Sequence, residues 1–260
     1  MTVIEERDQL IKKWLKEAAD EIKKSLNSDL KVEEKSRRND LVTRMDRKIE
    51  KDLIQKIRNH FPQDKIVSEE GFGDQPEDIE QGKNTVWYLD PIDGTLNFVL
   101  QKENFGIMIA VYERNIGQQA YILDVMTDEL YWSLKDQGVY RNNELLEKME
   151  NKSLAEGLFA SNSMFISDDQ VHLNAEITKQ AMGVRTIGSA AMEVAELLKG
   201  NTLAYLSYGL KAWDIAAGYM MIHESGGEVE KLDGSPVNFF NPGPTIMGTA
   251  QAIHEIRELL

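Results

Sequence analysis

The stretch DPIDGTLNF, residues 90–98, places two carboxylates, a glycine and a threonine side by side. Asp90 and Asp93 flank Pro91-Ile92, and the proline is expected to end a strand so that the next residues turn back over its tip. Both carboxylates can then face one point, with the Ile92 carbonyl in the same turn, and such a set of oxygens suits a hard cation such as Mg²⁺. Gly94 and Thr95 follow with backbone N–H groups which, at the start of a short helix, would offer a phosphate site. Metal and phosphate would be neighbours, which points to phosphate-ester chemistry.

Turn chemistry accounts for part of this pattern, since Pro and Gly in PIDG suit a type I β-turn, but it explains neither Thr95 nor the paired aspartates. An EF-hand loop is excluded by the missing acidic alternation and terminal glutamate. A phosphatase of the haloacid-dehalogenase type needs a nucleophilic aspartate two positions before Asp93, where Pro91 stands.

The elements around this stretch follow from periodicity. Val86 to Leu89 reads as a buried strand that delivers Asp90, and open α/β folds place their chemistry at such strand ends. Ile4, Ile11, Leu15, Ala18, Ile22 and Leu26 share one helical face, and Leu41, Met45, Ile49, Leu53 and Ile57 share another. Asn39 or Asp40 is the expected N-cap of that second helix. Lys65 to Ser68 forms a short strand before the acidic turn EEGFG, and FGIMIAVY, QQAYILDV, ELYWSL and GVY make an antiparallel meander.

Beyond it, strands GLFAS, 184–187, LAYLS and PTIMGT alternate with helices over 167–180, 189–198, 213–225 and the C-terminus. The expected class is α+β, layered as helices, sheet, helices, sheet, helices, in one unit over 1–260 with lobes near 1–150 and 151–260.

Composition narrows the setting. The hydrophobic content of 42% supports a sizeable core, and the absence of cysteine excludes disulfides and thiolate zinc sites. A net charge of −14 argues against general attraction to nucleic acid or anionic membranes. With no signal-peptide pattern and no membrane-length apolar run, a cytoplasmic protein is expected.

Five motifs in order, DLVTRMD (40–46), SEEG (68–71), DPIDGTLNF, IGSAA (187–191) and WDIAAG (213–218), resemble the inositol monophosphatase family of Mg²⁺-dependent phosphatases across nearly the whole chain. The resemblance implies the layered αβαβα fold, two or three Mg²⁺ ions per site, lithium sensitivity and a homodimer. It assigns Glu70, Asp90 and the Ile92 carbonyl to one metal and Asp90, Asp93 and Asp214 to a second, with Glu70 also serving a third. Asp46 and Thr95 resemble the pair that orients the attacking water, and hydrolysis proceeds without a phosphoenzyme. Gly94, Thr95, Asp93, Asp214, Gly188, Ser189 and Ala190 fall on the substrate side, as does Lys35 in the charged segment.

Each residue also has a plainer explanation. Glu70 can be solvated beside Glu69, Asp214 can serve a helix N-terminus, and Asp46 sits where a solvent-facing helix acid is usual. The four histidines show no metal spacing, and Tyr208 and Trp213 suit packing. Inositol-preferring members carry an acid seven positions before the WD aspartate, where this chain has Ser207, a weaker hydroxyl partner. The expected substrate is a myo-inositol monophosphate, with NADP, phosphoadenosine phosphate, fructose bisphosphate or another sugar phosphate as alternatives. An interaction protein for transcription or RNA processing is the alternative of another class.

Overall fold

The computed structural model describes residues 2–27, 31–34, 41–75, 79–80, 82–162 and 171–260. Helix α1 (Val3–Ser25) starts at a reciprocal cap, Thr2 accepting from the Glu5 N–H and Glu5 accepting from the Thr2 N–H. Strands β1 (Glu33–Glu34) and β2 (Leu41–Val42) pair antiparallel ahead of α2 (Arg44–His60). Leu41 therefore belongs to a strand. The cap of α2 is Thr43, not Asn39 or Asp40, because its side chain accepts from the N–H groups of Met45 and Asp46.

The first large sheet comprises β3 (Lys65–Ser68), β4 (Thr85–Asp93), β5 (Gly106–Glu113), β6 (Ile116–Asp124), β7 (Glu129–Leu134), β8 (Val139–Arg141) and β9 (Glu144–Leu145), in that order, with helix α3 (Thr95–Leu100) following β4. Only β3 and β4 are parallel; the other neighbours are antiparallel, as a meander requires. The second sheet contains β10 (Leu158–Ser161), β11 (Gly183–Arg185), β12 (Ala204–Ser207), β13 (Glu228–Lys231) and β14 (Thr245–Gly248), ordered β11-β10-β12-β14-β13. Helices α4 (Val171–Gln180), α5 (Ala190–Leu198), α6 (Ala212–Glu224) and α7 (Ala250–Arg257), with a short 3-10 turn at Leu154–Glu156, complete the described elements.

Period-two alternation divides each sheet's residues between cores. Trp87, Leu89, Ile107, Ile109 and Tyr121 pack against Ile11, Leu15, Ile49 and Leu53 of α1 and α2. Their neighbours Tyr88, Met108, Ala110 and Ile122 face α5 and α6, which also meet Tyr205 and Met247 of the second sheet. The far side of that sheet, through Phe159, Leu206 and Ile246, receives Ile177 of α4 and Ile253 of α7. The result is the αβαβα layering. Close contact of α5 and α6 depends on Gly218, where an added Cβ would lie 2.8 Å from Val194 Cγ2. Among the described residues no helix is long and apolar enough to cross a membrane.

Candidate active site

Pro91 does not end β4. The strand runs on to Asp93, but its register with β5 slips, Asp90 facing Met108 and Asp93 facing Gly106, so three steps on β4 match two on β5. This bulge accommodates the proline and swings both aspartates toward one side. The Ile92 N–H donates to Asp90 Oδ1 at 3.1 Å, which tightens the turn. Gly94 then adopts φ +87°, a left-handed conformation available to glycine, and an added Cβ would lie 2.9 Å from Ser189 Cβ.

Asp214 arrives in the first turn of α6, held by the Lys211 N–H, which donates to Oδ2 at 2.7 Å. Ligand oxygens of Asp90, Asp93 and Asp214 lie within 4.8 Å of one another. Burial raises all three carboxyls above their ordinary values, and mutual repulsion adds to the rise at Asp90 and Asp214, the latter reaching about 7. Asp93 is partly relieved by Ser189 and by the N-terminus of α5, its Oδ2 accepting from Ser189 Oγ and, at 2.7 Å, from the Ala191 N–H. The wall beside Gly94 and the second metal's expected ligand are thus tied together.

Of the adjacent glutamates, the structure brings Glu69, not Glu70, to this cluster. Glu69 lines the cleft and hydrogen-bonds Asp90, whereas the Glu70 N–H donates to Glu50 Oε2 at 2.7 Å and Glu70 is not among the cleft-lining residues. Successive side chains leaving a strand point in opposite directions, so an error of one position exchanges a cleft residue for an outer one. SEEG contains two candidate acids and therefore carries that ambiguity.

Asp46 is fully buried beneath Thr95, and its oxygens are divided between two threonines. Oδ1 lies 3.0 Å from Thr95 Oγ1, while Oδ2 accepts from the Thr43 N–H at 2.9 Å and from Thr43 Oγ1 at 2.5 Å. Thr95 Oγ1 also lies 3.1 Å from the Ile92 carbonyl, and its single proton serves one acceptor at a time. Burial raises the Asp46 carboxyl, and the bonds from Thr43 and Thr95 oppose the rise. Thr95 lines the cleft and Asp46 does not, so Asp46 is joined to the cleft through the threonine hydroxyl.

The cleft has a volume of about 440 Å³, and its lining includes Gly94, Gly188, Ser189, Ala190, Ser207 and Asp214. Ser207 Oγ accepts from Asn162 Nδ2 at 2.8 Å, and this pair adds a neutral hydroxyl and amide to the carboxylates of the cleft. Lys35 lies outside the described residues, as does the 163–170 segment where the fourth helix was expected to begin.

Oxygen ligands around one point, beside a hydroxyl backed by a buried carboxylate and facing a polar cleft, are the constellation expected from the motifs, and comparison with known proteins decides its kinship. The sequence profile described as "Inositol monophosphatase family" matches residues 4–259. The chain belongs to the inositol monophosphatase family. It is 38% identical over 259 residues to Bacillus subtilis "Inositol-1-monophosphatase", covering 98% of this chain and 96% of that one. "Fructose-1,6-bisphosphatase/inositol-1-monophosphatase" of Thermotoga maritima is 31% identical, with 81% and 78% covered, and "Nus factor SuhB" of Salmonella typhimurium is 28% identical, with 83% and 80% covered. Among solved structures, inositol monophosphatase-II from Staphylococcus aureus superposes with TM-score 0.86 at 31% identity, covering 96% and 93%. An IMPase/NADP phosphatase "complexed with Mg2+ and phosphate" gives TM-score 0.91 at 24% identity, covering 100% and 96%, and establishes the shared fold.

Within the inositol monophosphatase family frame, sequence reasoning overlooked several supporting residues. Glu193 accepts from the Ile187 N–H at 2.7 Å and fixes the turn before Ser189; burial raises its carboxyl to about 7. Asn97 Nδ2 donates to the carbonyls of Asn104 and Ile187, joining α3 to the same turn. Neither has a local signature. Thr43 does, since T-x-x-D ahead of an apolar period is a capping-box pattern.

Proposed function

We propose that this cleft hydrolyses phosphate monoesters with Mg²⁺, and that its first substrate is a myo-inositol monophosphate. The carrying observation is the Asp90, Asp93, Asp214 cluster beside Thr95 and Asp46. The donor set fits the metal: oxygen ligands alone suit Mg²⁺, and buried carboxyls raised by their own crowding favour a cation as replacement for protons. Glu69, Asp90, the Ile92 carbonyl, Asp93 and Asp214 would hold it, as two or three ions. Bound there, Mg²⁺ supplies Lewis acidity at a phosphate oxygen and makes a water molecule more acidic.

The protein's own groups do the orienting. Thr95, donating to Asp46, keeps its lone pairs toward the cleft and can take a proton from an approaching water as its own hydroxyl proton passes to the Asp46 carboxylate. The wall of Gly94, Gly188 and Ser189 offers close backbone approach to a phosphate, while Ser207 and Asn162 meet the alcohol portion. Support for the substrate comes from the names of the Bacillus and Thermotoga relatives. Fructose bisphosphate in the name of the Thermotoga relative and NADP in that of the IMPase/NADP phosphatase keep other phosphate esters in the test panel.

Phosphate release should be measured on that panel with Mg²⁺ and with chelator. Metal-dependent turnover with preference for an inositol monophosphate is the expected outcome, and a folded sample inactive on every ester would overturn the enzyme reading. The SuhB relatives favour a second reading, binding to a transcription partner, which predicts association without turnover. A cytoplasmic, lithium-inhibited homodimer completes the proposal, and light scattering and Li⁺ titration test its last two parts.

A further inference from the structure

Glu50 takes no part in the chemistry above, yet it is fully buried. It lies four residues after Asp46 on α2, so both carboxylates leave the same face of the helix one turn apart. Asp46 reaches the turn after β4, through Thr95; Glu50 reaches the turn after β3.

There its Oε1 accepts from Ser68 Oγ at 2.7 Å and from the Phe72 N–H at 3.0 Å, and its Oε2 accepts from the Glu70 N–H at 2.7 Å. Ser68 Oγ accepts in turn from the Gly73 N–H at 3.1 Å. The loop closes tightly at that point, since a Cβ on Gly73 would fall 2.4 Å from the Ile66 carbonyl oxygen. The donors of Ser68 and Glu70 bracket Glu69 on both sides. A carboxylate holding three donors is worth more than neutral hydrogen bonds would be, and it immobilises the backbone between them.

Resting on the cation-dependent reading of the cleft, we propose that Glu50 is a positioning residue: it fixes the backbone on either side of Glu69 so that the Glu69 carboxylate faces Asp90. Helix α2 thereby acts as a spacer bar, with Asp46 and Glu50 setting the distance between the two turns that share the metal site. The same donors would hold a loop of no functional consequence, so the test must separate affinity for the cation from stability of the fold.

Glu50→Gln in the full chain keeps the volume but turns an amide NH₂ toward one of the donors, breaking at least one bond. Mn²⁺ affinity, read by electron paramagnetic resonance, should fall about 10- to 100-fold, as expected for a residue supporting a metal ligand. The maximal rate at saturating Mg²⁺ should stay within about threefold of wild type, because the orienting group Thr95 is untouched. Glu69→Gln should also weaken Mn²⁺ binding, and the double variant should bind about as weakly as Glu69→Gln alone, since one residue acts through the other. Should Glu50→Gln not fold, Ser68→Ala removes a single bond to Glu50 and should still cost about three- to tenfold in Mn²⁺ affinity. Unchanged Mn²⁺ affinity in folded Glu50→Gln or Ser68→Ala, or losses that multiply in the double variant, would overturn the proposal. Failure of the phosphatase reading is seen separately, as absent turnover in a wild-type protein that binds Mn²⁺.

Discussion

At the residue scale the decisive pair is Thr95 and Asp46, joined at 3.0 Å and split between cleft and interior. Thr95→Ala removes the hydroxyl through which Asp46 touches the cleft, so the maximal rate should drop about 10²- to 10⁴-fold, the range typical of lost acid–base assistance. Mn²⁺ affinity should be nearly unchanged. Stopped assays of phosphate release alongside metal titration check this, and a parallel loss of metal affinity would show that the hydroxyl belongs to the cation site instead. The aspartates and Thr95 were legible because their motif is contiguous and its chemistry is distinctive. The motif pointed to Glu70, whereas Glu69 lines the cleft, since adjacent identical residues differ only in the face they present, and face is decided by strand register.

At the element scale, sequence periodicity found the long helices and the meander because each buries a continuous apolar face. It missed β13, a four-residue strand with the sequence EVEK, and it stopped β4 at Pro91 because a bulge is a property of two strands, invisible in one. The turn at Gly94 depends on such geometry. Gly94→Ala would place a Cβ against Ser189 in a left-handed conformation, costing about 1–2 kcal/mol from backbone strain alone. Because Ser189 also bonds Asp93, the variant should lose activity more than its fall in melting temperature explains. Thermal denaturation compared with turnover decides the matter, and a folded variant with wild-type turnover would mean the wall beside Asp93 can shift freely.

At the scale of the whole molecule, crowded carboxyls make stability depend on cation and pH together. Asp90, Asp93 and Asp214 hold protons more tightly folded than unfolded, Asp214 up to about 7. Their contribution to the cation-free protein is therefore full below the unfolded value near ~4 and is lost as pH rises through about 7. A cation held by the three carboxylates would replace those protons, and its effect would run in the opposite sense. The melting temperature in chelator should fall on this account between about pH 5 and pH 8, while the gap between Mg²⁺ and chelator widens. Metal at a hundred times its dissociation constant adds about 2.7 kcal/mol. Scanning fluorimetry across pH measures both curves, and a gap that narrows as pH rises would contradict the assignment of these carboxylates to a cation. The layers also determine when the site exists at all. Asp46, Asp90 and Asp93 lie in the first half of the chain, but Asp214 comes on α6, packed between the two sheets. A chain emerging from the ribosome therefore cannot bring the three aspartates together until α6 has been made and packed against both sheets.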